Sequence, residues 1–203
     1  SYEISDTGPL IAKMISDMKS EINEMKDKVQ VIYNAMTSAT ISPEKTVVTK
    51  RLFQSCKQLR EVNIPPTVTL IDDYAFDGCM SLVQISLPSS LKRIGDFAFH
   101  GCMSLLKISI PSNVMYIGNN AFEECNSLKQ VLIPKSVSRI YKLAFANCKT
   151  LKQFTISSTS TNIKNDILLG CSQLKELVIP LEYYYFDLII DPNIKIIKKN
   201  EKD

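Results

Sequence analysis

The sequence of 203 residues has no tryptophan, one histidine and only six glycines. His100 is the sole imidazole of the sequence. We therefore do not expect a histidine-based metal site or catalytic base, because such sites need several converging groups. No G-x-S-x-G, Walker-type glycine loop or H-E-x-x-H motif occurs. The sequence therefore predicts a non-enzymatic protein with no catalytic residues, no metal and no cofactor.

The net charge of the sequence is also small, and long apolar runs are absent from it. A formal charge of +3 is too low to indicate nucleic-acid binding by itself. No run of about eighteen apolar residues is present, so we expect no membrane span. The first ten residues lack the basic region and apolar run of a secretory signal. The localisation stays open between the cytoplasm and the cell surface.

What the sequence does contain is a period of 23 residues. The third residue after each cysteine is leucine, the sixth and eighth are apolar, and a proline follows the eighth in five of six units. A further apolar residue stands at the fifteenth position, and phenylalanine stands three residues before five of the six cysteines. The cysteines that mark the period are Cys56, Cys79, Cys102, Cys125, Cys148 and Cys171.

A period of this length, with an L-x-x-I-x-I segment inside it, predicts stacked repeats. The residues at positions six and eight share one side of a short strand, because side chains alternate along a strand. One unit cannot bury that side alone, whereas stacked units merge their apolar columns into a continuous core. Proline ends each strand because it has no N–H to donate to a neighbouring strand.

These units resemble the BspA-like (Treponema-pallidum-type) leucine-rich repeats, whose pattern is close to C-x-x-L-x-x-I-x-L-P-x-x-L-x-x-I-G-x-x-A-F-x-x. The second half of the pattern is matched by Leu91, Ile94, Gly95, Ala98 and Phe99. The resemblance covers residues 41–187 and implies an α/β repeat solenoid, a right-handed superhelix of short strands and turns. It also implies protein–protein recognition and adhesion.

Each unit has a single cysteine, so we expect the cysteines to form a buried column. Free cysteine in such a place behaves as a small apolar residue. Disulfides between neighbouring units remain the alternative, since stacking can bring Cα atoms within bonding range.

Residues 1–40 have a different pattern and form a separate predicted domain. Apolar residues recur there with alternating spacings of four and three, which is the seam of a coiled coil. We therefore predict a helix over residues 9–37 that makes the chain a homo-oligomer, either a dimer or a trimer. The predicted oligomerisation residues are Ile11, Ile15, Met18, Ile22, Met25, Val29, Ile32 and Met36.

A second interpretation of this helix is a cap that covers the open end of the repeats. A helix of about 28 residues is about 42 Å long, which is longer than one end of a thin solenoid needs. Met14, Val31 and Tyr33 widen the apolar stripe, however, and so favour a cap.

The predicted partner-binding surface consists of the residues five and seven positions after each cysteine, which point away from the core. Most are short or carry an amide, and a basic border of Arg60, Lys129, Lys152 and Lys175 runs beside them. A flat, extended surface of this kind is what repeat proteins use to bind proteins. The surface comprises Glu61, Asn63, Gln84, Ser86, Lys107, Ser109, Gln130, Leu132, Gln153, Thr155, Glu176 and Val178.

The C-terminal sequence predicts a cap and a charged tail over residues 188–203. Just before it, Tyr183, Tyr184, Tyr185 and Phe186 are expected to cover the last open core. An aromatic contact patch is the alternative for these residues.

The whole chain is thus predicted to be a non-enzymatic protein-binding module, multivalent through its N-terminal coiled coil. The family resemblance implies that this module functions in adhesion. It does not identify the protein partner. The alternative is an intracellular scaffold or regulatory subunit, for example of a phosphatase.

Overall fold

The computed structural model describes residues 7–164, 166–183 and 190–200. The chain divides into two compact units, Ser1–Ala35 and Met36–Asp203. The predicted aromatic cover formed by Tyr184, Tyr185 and Phe186 lies outside the described residues, as do residues 188, 189 and 201–203 of the predicted cap and tail.

The described part of the first unit is an α-helix, α1, Thr7–Ala35, of 29 residues. It begins two residues before the predicted start at residue 9 and ends two residues before the predicted end at residue 37. Met36, assigned to the coiled-coil seam, therefore follows the helix. Strand pairing is the physical reason, because Ser38–Thr40 forms a parallel pair with Glu61–Asn63, and the backbone must leave the helical conformation before that pair begins.

The described residues of the second unit contain twelve short strands, two of them in several turns of the chain. In chain order they are β1 Ser38–Thr40, β2 Val47–Val48, β3 Glu61–Asn63, β4 Leu70–Ile71, β5 Arg93–Ile94, β6 Tyr116–Ile117, β7 Gln130–Ile133, β8 Arg139–Ile140, β9 Gln153–Ile156, β10 Asn162–Ile163, β11 Glu176–Pro180 and β12 Lys195–Lys199.

These strands stack in parallel along two sides of a β-solenoid of about 7 turns. One side is a continuous six-stranded sheet in the order β10-β8-β6-β5-β4-β2. The other side contains the pair β1-β3 and the four-stranded sheet β12-β11-β9-β7. Within the described residues, helix is confined to α1, and the repeats themselves consist of strands and turns.

The second of these sides is interrupted between β3 and β7. The strands expected after Cys79 and Cys102 are reduced there to one parallel bridge, Gln84 with Lys107. Serine side chains at Ser86 and Ser109 are too short to pack across the strands, and such cross-strand packing is a main source of sheet stability. In β7, β9 and β11 the equivalent positions carry larger side chains, and full strands form.

Aromatic stacking forms the centre of the core. Phe53, Phe76, Phe99, Phe122 and Phe145 are buried, and consecutive rings are stacked with centroids 5.0 to 5.3 Å apart. The column ends at Leu168. There Phe154, from a different position of the repeat, packs its ring against the edge of Phe145 at 5.1 Å. An aromatic side chain thus fills the core where the phenylalanine column stops.

The turns that form the third side of the solenoid are also bonded from one unit to the next. The amide of Phe76 donates to the carbonyl of Ala98, and that of Phe99 donates to Ala121, both at 2.8 Å. Each thiol from Cys79 onward donates to the carbonyl of the phenylalanine 26 residues before it, with Sγ–O distances of 3.1 to 3.3 Å. All six cysteines are free and buried. The cysteine column therefore links the turns without disulfides.

Candidate partner-binding surface

The twelve residues predicted to bind a partner lie in two columns along the interrupted side of the solenoid, which we call the outer face. The residues five positions after each cysteine form the first column, and those seven positions after form the second. Their alignment follows from strand register, since Gln130 pairs with Gln153 and Leu132 with Thr155. Parallel strands lie about 4.8 Å apart, so each column advances by one residue per turn of the chain.

Exposure along the outer face falls toward the C-terminal end. Every predicted residue from Glu61 to Leu132 is exposed, whereas Gln153, Thr155 and Glu176 are half-buried. Val178 is only 5% exposed. Its neighbours explain its burial, because β11 is paired on both sides and places Val178 between Thr155 and Ile197. Val178 thus packs within the face instead of projecting from it.

The C-terminal part of the outer face has an apolar column and a shallow groove. Leu132, Thr155 and Val178 follow one another on β7, β9 and β11, and Leu132 is 57% exposed. They line one side of a groove of about 220 Å³, and Lys135 and Lys199 belong to the same lining. The N-terminal part of the column is polar instead, with Asn63, Ser86 and Ser109. The face therefore changes from polar to apolar along its length.

Polar side chains in the first column are partly engaged with each other. The Nε2 atom of Gln153 donates to Oε2 of Glu176 at 2.7 Å. This hydrogen bond satisfies one oxygen of the carboxylate and fixes both side chains beside the groove. The basic border noted in the sequence lies next to this column, and its residues Lys129, Lys152 and Lys175 are all exposed.

The structure places His100 in a cluster that sequence reasoning missed. Its Nδ1 atom lies 2.7 Å from Oδ1 of Asp77, whose Oδ2 accepts a hydrogen bond from Gln54 at 2.9 Å. The His100 ring also packs edge-on against Phe97 at 5.6 Å. Gln54, Asp77 and His100 are each 23 residues apart. The period itself was therefore the available signal, because residues one period apart become neighbours.

Acidic side chains next to each other in the sequence, at Asp72 and Asp73 and at Glu123 and Glu124, lie in the turns. Oδ1 of Asp72 accepts from the amide of Asp73, and Oδ1 of Asp73 accepts from the amide of Asp96. Carboxylates in this arrangement satisfy backbone donors in the bends between strands. Glu123 accepts from the side-chain amides of Asn120 and Asn147.

Three thiols in the middle of the cysteine column have the electrostatics of buried structural groups. Burial raises the pKa of Cys79, Cys102 and Cys125 above the ordinary value of 9.0. A raised pKa keeps a thiol protonated at neutral pH, whereas nucleophilic cysteine requires the thiolate. Among the described residues, no group of three or more histidine, cysteine or acidic side chains could hold a metal ion.

The predicted oligomerisation residues lie along α1, except for Met36. The seven that are helical are 43 to 63% exposed, from Ile22 at the lower limit to Ile32 at the upper. Met14 and Val31, which flank the stripe, are equally open at 56 and 67%. In the part of the chain that the structure describes, no helix is long and apolar enough to cross a bilayer.

Comparison with known families identifies the repeat type. The family described as the BspA type leucine rich repeat region matches residues 46–176 in six copies. No significant match to a curated protein was found.

Solved structures with similar repeats come from several bacteria. A leucine-rich repeat protein of Treponema pallidum is 34% identical, with a TM-score of 0.65 and coverage of 70% of this chain and 68% of that one. A leucine-rich repeat protein of Bacteroides ovatus is 28% identical, with a TM-score of 0.67 and coverage of 80% of this chain. The pneumococcal vaccine antigen PcpA is 24% identical with a TM-score of 0.63, which shows a shared fold. The match spans only 45% of the Bacteroides protein and 40% of PcpA.

Proposed function

The chain belongs to the BspA-type leucine-rich repeat family, and from this premise we propose that it is a non-enzymatic protein-binding module whose outer face holds the partner. Proteins with these repeats are commonly protein-binding or surface proteins. The observation that carries the proposal is the alignment of residues from successive turns into two columns on one side. Such a face offers a partner many contacts at fixed spacing, as repeat proteins do.

The proposal is tested by photo-crosslinking from matched positions on the two sheets. A benzoylphenylalanine replaces Ser109 on the outer face or Ser138 on the six-stranded side, both exposed serines. We expect a crosslinked protein from native cell material at Ser109 and none of the same mass at Ser138. Equal products from both positions, or none from Ser109 and a second probe at Ser86, would contradict the assignment of the outer face.

The module becomes multivalent in this proposal through self-association of α1. Its exposed apolar residues recur with a period of 3.5, which suits a coiled coil. The heptads run from Ile11 to Ile32 and no longer include Met36. Linking two or three repeat units in this way raises the effective concentration of the second binding event without new contacts.

A charge placed in the predicted seam tests this self-association. Ile22→Lys should reduce the mass measured by light scattering from a multiple of 22.9 kDa to that of one chain. Asn23→Lys, on the polar side, should leave the mass unchanged. If the unsubstituted chain is already monomeric and Ile22→Lys lowers its stability, the helix is a cap and the multivalent part of the proposal fails. The measured multiple distinguishes a dimer from a trimer.

Adhesion at a cell surface is the setting that the family resemblance favours. The second candidate is an intracellular scaffold or regulatory subunit, which the six free cysteines favour, since exported proteins commonly pair theirs. Protease treatment of intact cells separates the two. Loss of the protein from intact cells supports adhesion, and its survival until the cells are lysed supports the scaffold.

A further inference from the structure

Three lysines form a ladder at the edge of the outer face, each one residue before a strand of its C-terminal part. Lys129, Lys152 and Lys175 occupy the same position in three successive turns. The amide of Lys152 donates to the carbonyl of Lys129 at 2.8 Å, and that of Lys175 donates to Lys152 at 2.9 Å. Their Cα atoms are therefore about one strand spacing apart, about 4.8 Å. All three are exposed, and neither ion pair found in the described part of the chain involves them.

This lysine ladder opposes the stability of the fold. Like charges at neighbouring positions of adjacent strands repel each other. The position itself does not require a cation, because the corresponding residues of two earlier turns are Val83 and Leu106. The backbone bond from Leu106 to the carbonyl of Val83, at 3.0 Å, matches the bonds in the ladder. The fold therefore does not need lysine at this position, and an anionic partner would offset the repulsion between the three side chains.

The apolar column of Leu132, Thr155 and Val178 runs parallel to the lysine ladder. Each member lies three residues after a lysine, which is about 10 Å along a strand. The only carboxylate between the two columns, that of Glu176, is already hydrogen-bonded to Gln153. Beyond the apolar column, the groove of about 220 Å³ also has Lys199 in its lining. The surface therefore combines an exposed leucine, Leu132, and the groove beside it with positive charge along one edge.

The spacing of the ladder favours a helical partner. Side chains on one face of an α-helix repeat with a pitch of 5.4 Å, which differs from the strand spacing by about 1.2 Å over two steps. In an extended peptide, residues on one side repeat at about 6.8 Å, and the mismatch over two steps grows to about 4 Å. An amphipathic helix can thus present acidic residues to the ladder and apolar residues to the neighbouring column.

We propose that the C-terminal part of the outer face binds an acidic amphipathic helix of a protein partner. Its acidic side chains meet Lys129, Lys152 and Lys175, and its apolar side chains pack on Leu132 and enter the groove. This assignment rests on the proposed function of the outer face and specifies the chemistry of the partner.

Fluorescence anisotropy of labelled probes tests the proposal on the full chain. The probes are a synthetic helical peptide with glutamate along one side and leucine on the adjacent side, a scrambled peptide of identical composition, and a DNA duplex. We expect the striped peptide to bind at least tenfold more tightly than the scrambled one. Equal binding of both peptides would contradict a helical partner. Binding of DNA alone, weakened by the same lysine substitutions, would contradict it too and would indicate a surface for polyanions in general.

Matched variants locate the site. Lys152→Gln should weaken binding of the striped peptide by about three- to fivefold, as exposed ion pairs do, and Leu132→Ser should weaken it by about tenfold. The controls are Lys92→Gln, an exposed lysine of the six-stranded side, and Leu106→Ser, whose exposure of 52% is close to that of Leu132. If either control weakens binding as much as its counterpart, the site is wrong.

A stability measurement separates binding from structure. Lys152→Gln should leave the urea midpoint unchanged or raise it, because repulsion in the ladder decreases while binding also weakens. A lowered midpoint together with weaker binding would mean that Lys152 acts through the fold and would overturn its role in binding. If the striped peptide does not bind while the probe at Ser109 still crosslinks a partner, the helical partner is contradicted. The outer face then remains the proposed binding surface.

Discussion

At the scale of single residues, the stability of this protein depends on columns in which each side chain packs on its own equivalent one period away. Phe99 is fully buried and its ring lies between those of Phe76 and Phe122, at 5.1 Å from each. Loss of one ring therefore removes contacts from two neighbouring turns at once. Leu106, seven residues further along the chain, is 52% exposed and has no such position in the core.

Phe99→Ala is expected to lower the free energy of unfolding by about 3 to 5 kcal/mol, because it leaves a cavity in the centre of the stack. Leu106→Ala, the control, should change it by less than about 0.5 kcal/mol, as substitutions at exposed positions usually do. Urea unfolding followed by circular dichroism gives both values. Similar values for the two variants would show that the phenylalanine column does not form the core.

The buried thiols make stability sensitive to alkaline pH. Burial raises the pKa of Cys79, Cys102 and Cys125 above 9.0, so the folded chain retains protons that the unfolded chain releases. The contribution of these three thiols to the free energy of unfolding should thus be constant well below pH 9 and decrease as the pH rises above the ordinary thiol pKa.

Urea unfolding between about pH 7 and pH 10 measures this dependence, and Cys102→Ala should reduce the slope above the ordinary thiol pKa. Thiols that react with Ellman's reagent in the folded protein as fast as free cysteine would contradict the burial on which the prediction depends. Tyr183, whose pKa burial raises to about 12, adds to the decrease only above the ordinary tyrosine pKa of 10.0.

At the scale of the elements, the turns require backbone conformations that the strands do not. The residue before each cysteine is left-handed in every described unit, with φ of 65° at Gly101 and 60° at Glu124. A side chain in this conformation is strained by about 1 to 2 kcal/mol relative to glycine. Some units have glycine at this position and avoid the strain, whereas the other units have a residue with a side chain there and are strained.

Glu124→Gly is expected to raise the free energy of unfolding by about 1 kcal/mol, since glycine adopts the left-handed conformation without a steric clash. Gly101→Ala should lower it by a similar amount, although a Cβ there would meet nothing closer than 3.7 Å. Thermal or urea unfolding of the two variants checks the opposite signs. A loss of stability in both would mean that contacts of the Glu124 side chain outweigh its backbone strain.

At the scale of the whole molecule, each turn of the solenoid contacts only its neighbours. Substitutions that leave a cavity should therefore have different effects at the ends and in the middle. Leu128 is fully buried in the middle of the repeats, and Leu177 is fully buried in β11 near the C-terminal end. Removal of either side chain leaves a cavity. Only the terminal turn, however, can unfold without separating two folded parts.

Leu128→Ala should lower the urea midpoint at an unchanged m value, because the solenoid still unfolds as one unit. Leu177→Ala should instead lower the m value or broaden the transition, since the C-terminal turns with β11 and β12 unfold first and less surface is exposed in the main transition. Equilibrium unfolding monitored by circular dichroism distinguishes the two. Identical m values in both variants would show that the end turn is no weaker than the centre.

Most of the fold could be predicted from the sequence because its long-range contacts repeat at a constant interval. Once the cysteines fixed the period of 23 residues, the neighbours of every apolar residue followed, including the phenylalanine stack and the leucine column. The same reasoning could have paired Asp77 with His100, since they too are one period apart. Attention to motifs within a unit, without comparison between units, missed that pair.

The sequence by itself thus determined the repeat family, the parallel stacking and the core, because the apolar residues that become buried recur at the same positions of each repeat. The tertiary structure decided the features that break the period. It reduced two expected strands to the bridge between Gln84 and Lys107, ended α1 before Met36, and buried Val178 between Thr155 and Ile197. These outcomes depend on which side chains and strands are adjacent in space, and a pattern within one unit contains no information about its neighbours.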